Sequence, residues 1–169
     1  ARLAAEEVMG RHPECRILVY DSKNATCGLS ALIRTLVKKK ESGCTLDEAA
    51  KWLEETLPRA VCYFTLPDLF HMWRGGRLKK SSAVLGTALK IQPVLHINDI
   101  GALEPIKKVR GRAAAVKGLY ADLAEQCAAG KKPEIVCITH GDCPEEAEAL
   151  AKAVKETLGI SEVYISYLS

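Results

Sequence analysis

Apolar residues along the chain follow two kinds of spacing, short continuous runs and repeats of three or four positions. Continuous runs at 15–20, 61–65 and 134–139 are typical of buried strands. Repeats at helical spacing predict helices between the runs, over 1–9, 29–43, 45–57, 78–90, 111–128 and 144–158. The alternation of strands and helices predicts an α/β fold.

Two further runs, 92–97 and 103–109, are joined by the turn-forming residues 98–101. This pattern predicts an antiparallel hairpin, so we expect a mixed β-sheet with flanking helices. Pro58 ends the helix before it and marks the favoured boundary, which divides the chain into 1–57 and 58–169. The chain begins within a predicted helix and ends on a strand, so we expect it to be part of a longer protein.

Composition narrows the class of protein. The 169 residues are 48% hydrophobic and 27% charged, which indicates a globular chain with a core. A net charge of only +3 argues against a nucleic-acid-binding function. No apolar run reaches the roughly 18 residues of a membrane span. Seven cysteines without a Cys-x-x-Cys pair indicate neither a disulfide framework nor a zinc site, so we expect buried free thiols in the cytoplasm.

The strongest chemical signal is Arg74-Gly75-Gly76-Arg77. Guanidinium groups match carboxylates or phosphates, and glycine allows close approach of the backbone, so the motif indicates an anion site. We interpret Arg74 as a solvated charge at a helix end. A basic cluster is formed by Arg110 and Arg112 with Lys107 and Lys108. It could meet an acidic partner, but we favour a solvated loop. The helix predicted over 78–90 is rich in small residues. These residues either leave a groove beside the helix or let the helix pack closely on the sheet.

The order of these motifs resembles the DegV family of bacterial fatty-acid-binding proteins. The likeness covers essentially the whole chain and is most specific over 63–112. It rests on Asp21-Ser22-Lys23, the segment 64–69, Arg74-Gly75-Gly76-Arg77-Leu78, the segment 85–95, Lys108-Val109-Arg110-Gly111-Arg112 and the segment 140–147. The chain departs from the family in lacking an upstream α/β segment with hydroxyl ligands and a histidine- and glycine-rich end.

The resemblance implies a two-domain fold. Residues 1–57 would be the remnant of an N-terminal α/β domain with connecting helices, and 58–169 an incomplete C-terminal lipid-binding domain. It also implies a non-enzymatic carrier without cofactor or metal. A long-chain fatty acid would hold its carboxylate near Arg77, Gly76 and Gly75, with its tail against Phe70, Leu85, Leu89 and Ile91. The acid would be presented to a separate fatty acid kinase, with peripheral membrane contact as a route for lipid exchange.

Alternatives remain open. Arg74 and Arg77 could form an anion clamp in an enzyme acting on a small phosphorylated or carboxylated substrate. His140, beside Asp142 and Cys143, is the candidate general base. The competing interpretation is that Asp142 begins a helix before Pro144. A further possibility is that the chain is only a scaffold that binds nothing without additional segments.

Overall fold

The computed structural model describes residues 1–78 and 91–168. The helices are α1 (Arg2–Arg11), α2 (Thr26–Glu41), α3 (Leu46–Thr56), a short 3-10 helix (Leu57–Arg59), α4 (Leu69–Arg74), α5 (Arg112–Ala128) and α6 (Pro144–Leu158). The strands are β1 (Tyr63–Thr65), β2 (Ile91–Ile97), β3 (Leu103–Arg110), β4 (Ile135–His140) and β5 (Glu162–Tyr167).

Strands β1, β2 and β3 form an antiparallel sheet with β2 in the centre. Phe64 pairs with Leu95 on one side of β2, and Ile97 pairs with Leu103 where β2 turns into β3. The predicted hairpin is therefore confirmed. Its turn is closed by Asn98, whose side-chain Oδ1 accepts hydrogen bonds from the backbone N–H of Ile100 and of Ala102.

Strands β4 and β5 form a parallel pair, connected by α6. Parallel strands need such a crossover, since a tight turn would reverse the chain. Buried Ala147, Ala151 and Val154 form the inner face of α6. Together with the antiparallel sheet, this unit confirms the predicted mixed α/β class.

Helix α5 packs on the antiparallel sheet and contacts α6. The most buried side chains here are fully inaccessible to solvent, namely Val94 and Leu95 of β2 and Ala115 of α5. Burial of one Val or Leu side chain contributes about 1.5–3 kcal/mol, so this packing anchors the helix to the sheet. A second cluster of Leu69, Leu78 and Leu95 lies under α4.

Helix α2 packs against β4 and reaches β5 through its charged side chains. The Arg34 guanidinium lies 3.9 Å from the centre of the Tyr164 ring. Lys38 pairs with Glu162, and this contact lowers the pKa of the Glu162 carboxyl and raises that of Lys38. The first part of the chain is thereby joined to its last strand. The boundary at Pro58 stays a prediction.

The structure confirms some of the local elements predicted from the sequence and contradicts others. The capping box at Thr45 is present, with the Glu48 backbone N–H donating to the Thr45 hydroxyl at 3.3 Å. The strand predicted over 15–20 is wrong, because this extended segment pairs with no strand among residues 1–78 and 91–168. Helix α6 begins at Pro144 with Cys143 as its N-cap, so Asp142, the predicted N-terminal residue, lies one residue before the observed cap. The helix predicted over 78–90 lies almost entirely outside the described residues.

Gly28 permits a close approach of α2 to Asn24 and Cys62. A Cβ at this position would lie 2.1 Å from Asn24 Oδ1 and 3.2 Å from the Cβ of Cys62. The Asn24 side chain cannot move away from an added Cβ without losing a hydrogen bond, since its Nδ2 donates to the Ala60 carbonyl at 3.0 Å. The first turn of α2 therefore depends on the absence of a side chain here.

We expect Gly28→Ala to lower the free energy of unfolding, by about 1–3 kcal/mol, because overpacking outweighs the roughly 1 kcal/mol gained in helix propensity. Urea denaturation followed by circular dichroism measures the change. Gly10→Ala is the matched control, since Gly10 also lies in a helix and nothing is within 4 Å of an added Cβ. A Gly28→Ala protein as stable as Gly10→Ala would contradict the close packing.

Candidate functional site

A cavity of about 530 Å³ lies where the ends of β1 and β4 meet the first turn of α2 and one face of α5. Its volume falls within the range of about 300–1,000 Å³ that is usual for small-molecule sites. Most of its wall is apolar, and includes Phe64, Leu66, Met72, Val116, Leu119 and Ile138. Polar groups enter the wall from Arg77, Arg112, Glu146, His140 and neighbouring threonines. The arrangement suits an amphipathic ligand.

The turn after α4 brings Arg77 to this cavity. Gly76 adopts a φ of +73°, which a residue with a Cβ occupies only with strain. The turn closes when the Arg77 backbone N–H donates to the Met72 carbonyl at 2.8 Å. The guanidinium Nη1 donates to the Gly75 carbonyl, so the backbone of the glycine pair orients the side chain.

Arg77 carries a charge without a carboxylate partner among residues 1–78 and 91–168. It is exposed, and it also lines a second, more open cavity of about 650 Å³ beside Lys23 and Gly76. Lys23 is paired with Asp21 there. Arg74 is exposed and does not line either cavity. The structure thus separates the two arginines that the sequence placed in one motif.

Arg112 is a cavity residue that the sequence analysis missed. The favoured interpretation as a solvated loop is wrong for this residue, because Arg112 is the first residue of α5 and lies in the cavity wall. Its Nε donates to both carboxylate oxygens of Glu146 at 2.7 Å, and its Nη2 lies 3.1 Å from Cys143 Sγ. The ion pair lowers the pKa of the Glu146 carboxyl and raises that of Arg112. Glu146 thereby offsets the charge of Arg112, whereas Arg77 keeps its own.

His140 lies at the carboxyl end of β4 and also lines the cavity. Its Nδ1 accepts a hydrogen bond from the Cys143 backbone N–H at 3.3 Å, which leaves the proton on Nε2 in the neutral ring. The ring packs edge-to-face on Tyr167, with ring centres 5.6 Å apart. The structure therefore brings His140 and Arg77 to one cavity, while Asp142 does not line it.

Two of the four predicted tail contacts, Phe70 and Ile91, belong to the described residues and lie away from this cavity. Phe70 packs beside Leu69 in the cluster under α4, with its ring centre 6.0 Å from that of Trp73. Ile91 is half-buried at the start of β2. Neither lines the 530 Å³ cavity. Leu85 and Leu89 lie outside the described residues, and the ligand-contacting role of all these side chains stays a prediction.

The cysteines occupy varied environments. Cys62 is buried, as expected, but Cys15 is exposed because the segment around it is not a buried strand. Over residues 1–78 and 91–168, no cluster of three or more His, Cys, Asp or Glu side chains could hold a metal ion. Within the same residues no helix is both long and apolar enough to cross a bilayer.

The structure is a mixed α/β protein with a mainly apolar cavity bordered by charged side chains, and sequence comparison identifies its family. The profile of the family described as uncharacterised protein, DegV family, matches residues 1–169. A DegV domain-containing protein of Clostridium perfringens is 32% identical over 166 residues, which are 98% of this chain and 57% of that protein. The chain belongs to the DegV family.

Solved structures agree with this assignment. A fatty acid (stearic acid)-binding protein from Eubacterium ventriosum is 26% identical with a TM-score of 0.82, covering 96% of this chain and 55% of that one. The Streptococcus pneumoniae fatty acid kinase (Fak) B3 protein, loaded with linoleic acid, has the same fold with a TM-score of 0.85 at 22% identity. That match covers 98% of this chain and 58% of that one. The chain thus spans somewhat more than half the length of these relatives.

We expect Gly76→Ala to lower the free energy of unfolding by about 1 kcal/mol, because a Cβ is strained at positive φ. Nothing lies within 4 Å of the added atom, so the cost is conformational only. Thermal unfolding measures it. Gly75→Ala is the control, since Gly75 has a φ of −75° and the nearest atom to its added Cβ is 3.4 Å away. Equal stability of the two variants would show that the turn tolerates a side chain at both positions.

Proposed function

We propose that the protein binds a long-chain fatty acid, with the acyl tail in the 530 Å³ cavity and the carboxylate near Arg77. The observation that carries the proposal is a guanidinium without a carboxylate partner, among the described residues, at the wall of a mainly apolar cavity. The stearic acid-binding protein from Eubacterium ventriosum supports the ligand class, since it shares the fold at 26% identity.

The tail supplies most of the binding free energy in this arrangement. Each methylene removed from water contributes about 0.8 kcal/mol, so roughly a dozen contribute on the order of 10 kcal/mol before ordering costs. The apolar face of α5, with Val116 and Leu119, offers that environment. Affinity should therefore depend chiefly on the length of the acyl chain that the cavity accepts.

The headgroup sets the direction of the ligand. An exposed ion pair contributes about 0–1 kcal/mol, and Arg77 is exposed. A second cation, Arg112, is already paired with Glu146 and is less able to accept another carboxylate. Arg77 with the flanking Gly75 and Gly76 is thus the favoured position for the charged end.

The protein acts, in this proposal, as a carrier without a cofactor and does not itself transform the lipid. It presents the acid to a fatty acid kinase in the cytoplasm, after contact with a membrane surface from which lipid is exchanged. The family resemblance motivates the kinase partner, and a cytoplasmic location accords with a chain whose described cysteines are free thiols.

The enzyme alternative rests on His140, which lines the same cavity as Arg77. The Nδ1 atom of the ring already accepts a hydrogen bond from the Cys143 backbone N–H, so it is not free to act as a base. An enzyme with a clamp formed by Arg74 and Arg77 would need both guanidiniums on one substrate, and Arg74 does not line the cavity. The carrier is therefore the better-supported function.

We expect Arg77→Ala in the full-length protein to weaken oleate binding less than about tenfold, because an exposed charge pair contributes about 1 kcal/mol or less. Isothermal titration at low and high salt measures the effect, which should shrink at high salt. Arg74→Ala is the matched control and should bind as the unaltered protein does. Equal losses in both variants would favour the two-arginine clamp, and no loss in either would remove Arg77 from the site.

We expect Val116→Trp to abolish retention of co-purified fatty acid, because the larger side chain fills the cavity that the tail needs. Native mass spectrometry of the full-length protein reports the bound lipid directly. Lys117→Trp is the control, since Lys117 is the next residue of α5 and is exposed. Circular dichroism establishes that both variants fold. Retention of lipid by a folded Val116→Trp variant would place the tail elsewhere.

A further inference from the structure

Two cysteine thiols face each other in the cavity wall. The Sγ atoms of Cys27 and Cys62 are 3.4 Å apart, although the residues are 35 positions apart in sequence. Cys27 lies in the first turn of α2, and Cys62 immediately precedes β1. Both line the 530 Å³ cavity. In the described part of the chain, no other cysteine has a second sulfur within hydrogen-bonding distance.

The backbone holds these two segments in place. Gly28 lets α2 approach Cys62 so closely that an added Cβ would lie 3.2 Å from the Cβ of Cys62. The Cys62 carbonyl accepts from the Ile97 backbone N–H at 3.1 Å, which ties the segment to the antiparallel sheet. A disulfide has sulfurs about 2.05 Å apart, so the pair needs to close by only about 1.4 Å.

The pair is also chemically asymmetric. The hydrogen bond between the two sulfurs lowers the pKa of Cys27 well below the usual cysteine value despite burial. The start of α2 favours the same thiolate. The hydrogen bond to Cys27 and burial both raise the pKa of Cys62. Cys27 is half-buried and Cys62 is 3% exposed, so one sulfur is a reachable nucleophile and the other a protected thiol.

We propose that Cys27 and Cys62 form a reversible disulfide on exposure to hydrogen peroxide, a modification site in the cavity wall. The Cys27 thiol loses its proton and its sulfur attacks the peroxide, so that an S–O bond forms and the O–O bond breaks. The departing hydroxide takes up the Cys27 proton and leaves as water. Cys62 then attacks the Cys27 sulfur; the S–S bond forms, the S–O bond breaks, and the departing hydroxide takes the Cys62 proton as a second water. Two thiols are oxidised and one peroxide is reduced, and a dithiol reductant reverses the change.

The crosslink would fasten the first turn of α2 to the segment before β1. It replaces two thiols of the cavity wall with a disulfide and needs no bound ligand. The proposal therefore stands or fails separately from fatty acid binding.

Peptide mapping tests the proposal without any substitution. Reduced full-length protein is treated with hydrogen peroxide, remaining thiols are blocked with N-ethylmaleimide, and the protein is digested with trypsin without reductant. Cleavage after Lys23, Arg34, Arg59 and Arg74 gives fragments 24–34 and 60–74, each with a single cysteine. We expect mass spectrometry to find these fragments linked, two hydrogens lighter than their sum, and separated again by dithiothreitol.

Variants and unfolding provide the controls. Cys15→Ser, which alters an exposed cysteine, should leave the linked fragments unchanged, whereas Cys27→Ser and Cys62→Ser should each lose them completely. In Cys62→Ser, dimedone should trap the Cys27 sulfenic acid, which no longer has a partner. Absence of the linked fragments from the unaltered protein, or a yield no higher than for the same protein in urea, would overturn the proposal.

Discussion

The close approach of α5 to the antiparallel sheet determines the shape of the cavity. A Cβ at Gly118 would lie 3.1 Å from Cγ2 of Val94, a side chain with no exposed surface. A side chain at this position would require Val94 to move by a few tenths of an ångström, so glycine helps the helix to lie this near β2. That position turns Val116 and Leu119 into the cavity and places Arg112 at its wall.

The charges at this boundary differ in their availability. Glu146 compensates Arg112, whereas Arg77 is held by the carbonyl of Gly75 and has no carboxylate partner among the described residues. Burial of a hydrocarbon tail in an apolar cavity is favourable, because apolar surface is removed from water. An unpaired guanidinium is stabilised by a charge-assisted hydrogen bond to an anion. A fatty acid satisfies both conditions with one molecule. The DegV family membership of the chain and the stearic acid-binding neighbour agree with that chemistry.

Much of the fold was predictable because its signals are local. The capping box at Thr45 and the hairpin around 98–101 are each set by residues a few positions apart. The segment 15–20 is an exception, since an apolar run becomes a strand only when another strand pairs with it. The family resemblance identified Arg77. Contacts across more than 30 residues determine the pairing of Cys27 with Cys62 and the position of Arg112. Contacts between residues so far apart produce no periodic pattern in the sequence, so they cannot be predicted from it.

The most direct test is a crystal structure of the full-length protein grown with oleate. We expect continuous density for the acyl chain between α5 and the end of β1, against Val116 and Leu119, with the carboxylate within hydrogen-bonding distance of Arg77. Density for the chain in another part of the protein, or a carboxylate held far from Arg77, would contradict this account.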